Sequence, residues 1–184
     1  LHPQLGPKIG WELFSNPLGT SATIRTADGW LVQGRRNERV ACHPGYVHSF
    51  GGGLEPGERR ADGTFDAFAC IRRELREELG ISEAEIVEQV CLGMIRDARI
   101  RQPEMIFDVA VRLTRDELAG RIAAGDEEHT RIESCRDEPE AIVAFIAGID
   151  RIAPVAVGAL LMHGRRHWGE AWLADARAKL GLSP

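Results

Sequence analysis

Apolar residues recur at helical spacing through one stretch of the chain: Phe68, Ile71, Leu75 and Leu79 fall on a single stripe. That stripe predicts an amphipathic helix between Asp66, placed as an N-cap or first-turn acid, and Gly80, a natural residue to end it. Shorter runs on either side carry strand patterning. Thr20–Thr26 and Trp30–Gly34 flank Ala27-Asp28-Gly29, and Asp-Gly between two such runs predicts a β-hairpin. Ile86–Arg96 and Met105–Leu113 read as two further strands joined by a polar, basic connection. Thr114-Arg115-Asp116-Glu117 is a capping box that opens a helix ending near Gly125. A short strand follows around Arg131–Cys135, then a helix over Glu140–Gly148 started by Asp137 and Pro139. Ile152–His163 and Trp168–Leu180 predict two more helices. Residues 1–17 show no period and read as an irregular lead-in whose Trp11, Leu13 and Phe14 cover an edge of the core. Residues 1–184 are expected to form a single domain, with residues 166–184 as its C-terminal helix.

Composition narrows the class. Of 184 residues, 43% are hydrophobic and 28% charged, which suits a globular chain with a proper core. A net charge of −5 argues against a nucleic-acid partner, because a duplex binder needs a basic face. Cys42, Cys70, Cys91 and Cys135 show neither CxxC pairs nor zinc-ligand spacing and read as reduced thiols in the cytoplasm. No basic-plus-apolar signal segment opens the sequence, and the longest apolar stretch, Ile152–Met162, is too short for a bilayer. A cytoplasmic protein without a membrane partner is expected.

Candidate chemistry concentrates on the predicted helix. Glu74, Glu77 and Glu78 stand at i, i+3 and i+4, so three carboxylates project together. Like charges at i,i+4 cost a helix roughly 0.2–0.5 kcal/mol per pair, and a hard divalent cation such as Mg²⁺ reverses that sign. Arg73 lies four residues before Glu77 and would orient its carboxylate. Upstream stand three glycines, residues 51–53, with Glu55 and Glu58. Glycines there let backbone approach a ligand closely, but no Lys-Ser/Thr completes a P-loop. A solvated charged helix is the plain alternative. Tyr46, the only tyrosine, would either pack or stack on a base or sugar, and Arg99 and Arg101 share a face if extended and would either grip phosphate or sugar or belong to a solvated connection.

Together, GG-x-x-E-x-G-E from Gly51 and R-E-L-x-E-E-x-G-I from Arg73 resemble the Nudix box, which places seven residues between its two halves. Here fourteen residues, 59–72, separate Glu58 from Arg73, and Ala61-Asp62-Gly63-Thr64 among them read as a turn. The addition is expected to lengthen the loop and leave the helix intact. The resemblance implies an α/β/α sandwich with a mixed central sheet, here with extra C-terminal helices. It implies Mg²⁺, with Mn²⁺ as a substitute, held by Glu58, Glu74, Glu77, Glu78 and a backbone carbonyl at Gly51 or Gly52. It also implies a late-loop carboxylate as ligand or base, for which Glu128 is the first choice and Glu127 the second. Arg35 and Arg36 end the strand that lies beside the diphosphate in that family. Glu77 or Glu128 would take the proton of the attacking water, with Arg73 in support.

The order LTRDEL, AAGDEEHTRIES, APVAVGALLMHGR is also similar to the animal Nudix branch that splits UDP-glucose and UDP-galactose, over roughly Leu18–Arg165. Hydrolysis of a nucleoside diphosphate sugar is therefore expected, with ADP-ribose and related diphosphates as the alternative. A nucleotide-sugar-sensing module would be expected to lose box carboxylates. An isoprenoid diphosphate isomerase would need a reactive cysteine facing the metal. The last helix, with Trp168, Trp172 and Leu173, would cap the core or meet a second copy of the chain.

Overall fold

The structure, a computed structural model, describes residues 6–10, 17–97, 102–122 and 128–182. Its centre is a mixed sheet of six strands: β1 (Gly19–Arg25), β2 (Trp30–Arg36), β3 (Val47–His48), β4 (Ile86–Arg96), β5 (Pro103–Val111) and β6 (His129–Arg136). Among the described residues five α-helices accompany it: α1 (Gly6–Ile9), α2 (Ala67–Leu79), α3 (Arg115–Ile122), α4 (Pro139–Gly148) and α5 (Pro154–Lys179). β1 and β5 run parallel over seven register pairs from Gly19↔Glu104 to Arg25↔Ala110, while the other strand pairs are antiparallel.

β2 forks away from β1. The two pair only at Ile24↔Val32 and Arg25↔Leu31, beside the turn that joins them. Beyond that point a second segment enters the gap. Val47 and His48 pair with β2, and the Ala22 and Thr20 amides of β1 donate to the Phe50 carbonyl at 2.8 Å and the Gly52 carbonyl at 2.7 Å. The wedge thus satisfies backbone groups on two diverging strands, and it carries the three glycines to the sheet's end. β6 covers the other edge of β2 along its length.

Two apolar layers enclose the sheet. On one face Ile71, Leu75 and Leu79 of α2 pack with Ala22, Ile24, Phe50, Phe107 and Val109. On the other, Leu31 and Cys135 meet Ile142 and Ile146 of α4 and Leu160 and Leu161 of α5. Each buried Val, Leu, Ile or Phe among them contributes about 1.5–3 kcal/mol relative to exposure. This is the expected α/β/α sandwich.

The helix termini follow the sequence closely. Asp66 Oδ1 accepts the Ala69 amide at 3.0 Å, and Gly80 ends α2 at φ 61°. Thr114 and Glu117 form the capping box of α3. Several details depart. Phe68 is 40% exposed, with its ring edge-on to Phe107 at 5.1 Å, so the buried stripe starts at Ala67, Cys70 and Ile71. Asp137 does not cap α4: its carboxylate bonds His163, and Glu138 holds the cap position ahead of Pro139. The two expected C-terminal helices are present, but the kink between them falls at Gly169 (φ 84°, ψ −177°) and not over residues 164–167. Trp168, just before the break, and Trp172 and Leu173 beyond it pack against the α4–α5 core. Trp11, Leu13, Phe14, Arg99, Arg101 and Glu127 lie outside the described residues.

Candidate active site

Arg73 is the hub around which the acids gather. Its Nε donates to Glu58 Oε1 at 2.6 Å, one Nη to Glu77 Oε2 at 2.8 Å, and the other Nη to the Gly53 carbonyl at 3.0 Å. Glu74 Oε1 lies 2.9 Å from that second Nη. Helical spacing brings Arg73 under Glu77, and the glycine wedge brings Gly53 within reach. Glu58 is only 8% exposed, and its second oxygen accepts the Glu55 amide at 2.6 Å. Burial raises the Glu58 pKa, but the Arg73 guanidinium and the Glu55 amide outweigh it, so the group is held below the ordinary carboxylate value. Burial likewise opposes the charge on Arg73, and Glu58 and Glu77 more than restore it.

The lengthened spacer does not carry Glu58 away. Residues 59–65 fold onto themselves: Arg59 pairs with Phe65, the Arg60 amide donates to the Thr64 carbonyl at 2.7 Å, and Asp62 accepts the Thr64 amide at 2.9 Å. The added length becomes a small hairpin, and the chain returns to Asp66 beside the point where it left.

Glycines set how closely backbone and acids meet. Gly51 sits at φ 145°, and its amide donates to Glu78 Oε2 at 2.9 Å. A Cβ on Gly52 would fall within the Glu74 carboxylate. The Gly52 carbonyl is turned to β1, where Thr20 takes it with both its amide and its hydroxyl, at 2.7 and 3.3 Å. Gly52 therefore contributes space for Glu74, and its oxygen serves the sheet. Glu78, pointing back from the acid face, also lies 3.7 Å from His129 Nδ1.

A cleft of about 420 Å³ opens beside these groups. Glu55, Arg73, Glu74 and Glu77 form one wall, and Arg36, His43, His48, Glu104 and Glu128 are among the residues opposite. Arg36 reaches Glu128 at 3.5 Å and donates to the Cys42 carbonyl at 3.0 Å. Burial raises the Glu74 pKa; Arg73 opposes this and the charges of Glu77 and Glu128 add to it. Burial, with the charges of Arg36, His43 and His129, pushes His48 down to about 4 against the Ser49 carbonyl, so it is neutral at neutral pH.

The remaining expected residues are placed elsewhere. Arg35 turns from the cleft to bond Glu133 Oε1 at 3.0 Å and the Gly45 carbonyl at 3.1 Å. Tyr46 is half-buried, 5.4 Å ring to ring from His43, and is not among the residues lining the cleft. Sequence reasoning missed His43, His48 and Glu104. Glu104 carried a signal, being an acid four residues before Asp108 and in phase with it on a strand of buried residues.

On the α5 side, ligand atoms of Asp108, His163 and His167 lie within 4.8 Å of one another. His163 bonds Asp108 Oδ1 through Nδ1 at 3.0 Å and Asp137 Oδ1 through Nε2 at 2.9 Å, and Arg166 pairs with Asp108 Oδ2 at 2.7 Å. That network is internally compensated and ties α5 to β5.

No protein-family profile matches the chain, and no curated protein does. Solved structures do. DR0079 from Deinococcus radiodurans superposes with a TM-score of 0.58 at 19% identity, covering 83% of each chain. The MutT protein of Methanosarcina mazei gives 0.55 at 17% identity over 83% of this chain and 95% of its own. A NUDIX hydrolase from Nitrosomonas europaea gives 0.53 at 17% identity, over 83% and 90%. The chain has the Nudix fold. Within that fold the wedge, the glycines and α2 bring Glu58, Glu74, Glu77 and Glu78 to one end of the sheet, beside the cleft.

The donors fit a hard cation. Five carboxylates, from Glu55, Glu58, Glu74, Glu77 and Glu128, stand around Arg73 and Arg36, and Glu78 sits behind them on the Gly51 amide. The half-buried Glu74 is loaded with the repulsion of its neighbours.

Proposed function

We propose that this chain is a metal-dependent pyrophosphohydrolase that cleaves the diphosphate of a nucleoside diphosphate derivative, with nucleoside diphosphate sugars as the favoured class. The observation that carries the reading is the convergence of Glu58, Glu74 and Glu77 on Arg73 at the wall of an open cleft, with Arg36 and Glu128 across it. Glu74, Glu77, Glu78 and Glu58 would hold Mg²⁺, with Glu128 as a further ligand or base, and Mn²⁺ would serve in its place. When bound, such an ion neutralises charge on the phosphoryl oxygens and acidifies a bound water.

The chain's own groups account for the rest. Arg73 fixes the directions of three carboxylates, so little reorganisation remains when substrate arrives. Arg36 offers a planar fork to a phosphate entering the cleft, exchanging Glu128 for it. Glu77, exposed at the mouth, or Glu128 opposite takes the proton of the attacking water. The products are a nucleoside monophosphate and a sugar phosphate. The retained box carboxylates favour this over a sensing module. Cys70, a buried thiol against Thr20 and the Gly53 carbonyl with its pKa raised by burial, is no activated nucleophile for an isomerase.

The test is a panel of nucleoside diphosphate sugars and ADP-ribose, assayed with and without Mg²⁺. Release of nucleoside monophosphate that requires the metal supports the proposal. Binding without turnover across the panel would replace it with the sensing module.

A further inference from the structure

Glu104 is a buried acid that the hydrolytic chemistry does not use. It is the second residue of β5, with 5% of its surface exposed, and it lines the cleft beyond the box acids. The Ser21 hydroxyl donates to its Oε2 and fixes the carboxyl group. A carboxyl group has roughly four acceptor positions, so one bond from Ser21 leaves most of them for a ligand. The neighbourhood is built to keep it there. A Cβ on Gly19 would meet Glu104 Cγ at 2.9 Å and Gln102 Nε2 at 3.2 Å, so the missing side chain makes the space both occupy. Behind it stands Asp97, whose charge acts on Glu104 and which pairs with His43 Nε2 at 3.3 Å.

The composition of this end of the cleft selects among ligands. Gly19, Gln102, Glu104, His43 and His48 line it, and no Trp, Tyr or Phe is among the described lining residues. A nucleobase gains much of its binding from stacking on such rings, about 1–3 kcal/mol per base in single-strand sites. A sugar instead presents hydroxyls, each a donor and an acceptor. A carboxyl group, a side-chain amide and a neutral imidazole match that pattern.

We infer that Glu104, with Gln102 beside it, forms the subsite that receives the sugar hydroxyls of the substrate, with the diphosphate running from there to the box acids. The inference rests on the hydrolase reading for its substrate class and adds which wall reads which half. Glu104 is here a specificity residue, and the bond-breaking groups remain those gathered around Arg73.

The experiment titrates wild type, Glu104→Gln and Ser21→Ala with glucose 1-phosphate and, separately, with UMP, following heat. It then compares KM and kcat on UDP-glucose. Glu104→Gln should weaken glucose 1-phosphate binding roughly 10- to 100-fold, the scale of one or two charge-assisted hydrogen bonds, and leave UMP unchanged. KM should rise by a similar factor with kcat within about threefold of wild type. Ser21→Ala should lose less in the same direction, and it carries the test if Glu104→Gln does not fold. Unchanged sugar-phosphate affinity, or an equal loss of UMP affinity, overturns the inference. A wild type that binds glucose 1-phosphate but turns over no nucleotide sugar leaves this subsite standing and removes the hydrolase reading instead.

Discussion

Replacing Arg73 by methionine removes the hub and keeps a long apolar stem in its place. Glu58 loses the guanidinium at 2.6 Å while its other oxygen stays on the Glu55 amide. Stranding one member of a buried ion pair costs about 3–5 kcal/mol. Glu58 is covered by its immediate neighbours yet lies just beneath the surface, so solvent screening places the cost at or below the lower end, about 2–3 kcal/mol. Glu77, whose side chain is 54% exposed, adds only about 0.3–0.5 kcal/mol. For a chain of this size the total corresponds to a fall in Tm of about 5–14 °C. Urea unfolding followed by the fluorescence of the four tryptophans measures it directly. The decisive comparison is the same change made with Glu58→Gln, where no charge is left unpaired. There Arg73→Met should cost about 1 kcal/mol or less, a coupling of about 1–2 kcal/mol between the two positions. Equal costs in both backgrounds, or a loss below about 0.5 kcal/mol in the first, would refute the account of Arg73 as the organiser of these acids.

Three further outcomes follow from the same geometry. Glu77→Gln should abolish turnover while leaving Tm within about 2 °C, because Glu77 is largely exposed; undiminished activity would remove this helix from the chemistry. Gly52→Ala pushes a methyl group into the Glu74 carboxylate and should weaken Mg²⁺-dependent activity by roughly 10-fold or more, read from a metal titration; a wild-type titration curve would sink the steric argument. The third concerns pH. Burial lowers the His163 pKa, but Asp108 and Asp137 more than restore it, so the folded value lies above the unfolded 6.5. Its stabilisation is then complete below about pH 6.5 and is lost as pH rises through the folded value. Asp108 is shifted the other way: burial raises it, and His163, Arg166 and His167 bring it well below 3.8, so its contribution fails only in acid. Urea midpoints at pH 5, 7 and 9 should fall more steeply for wild type than for His163→Gln; parallel curves would remove His163 as the source.

Local chemistry made much of this legible. Asp66, Gly80, Thr114 and Glu117 mark helix ends by side-chain hydrogen bonds or a left-handed turn, and those depend on neighbours in sequence. The acid face of α2 follows from helical periodicity alone. What escaped depends on contacts distant in sequence. Asp137 reads as a helix cap until α5 brings His163 within 2.9 Å of it. Arg35 and Arg36 are adjacent, and only strand alternation against β3 and β6 sends one to the cleft and the other to Glu133 and Gly45. Glu104 reads as a polar residue near a strand end, and its burial arises from Ser21 and Gly19, over eighty positions earlier. The resemblance offers the ion a backbone carbonyl at Gly51 or Gly52, and the divergence of β1 and β2 turns the Gly52 carbonyl to Thr20.

The small hairpin over residues 59–65 has a practical corollary. Since its two ends pair with each other and none of its residues borders the described cleft, length can be added at its tip with little stress on what lies on either side. A short reporter peptide spliced between Asp62 and Gly63 would be carried on the outside of the molecule, giving a place to attach a dye or a surface tether while the cleft end of the sheet stays undisturbed.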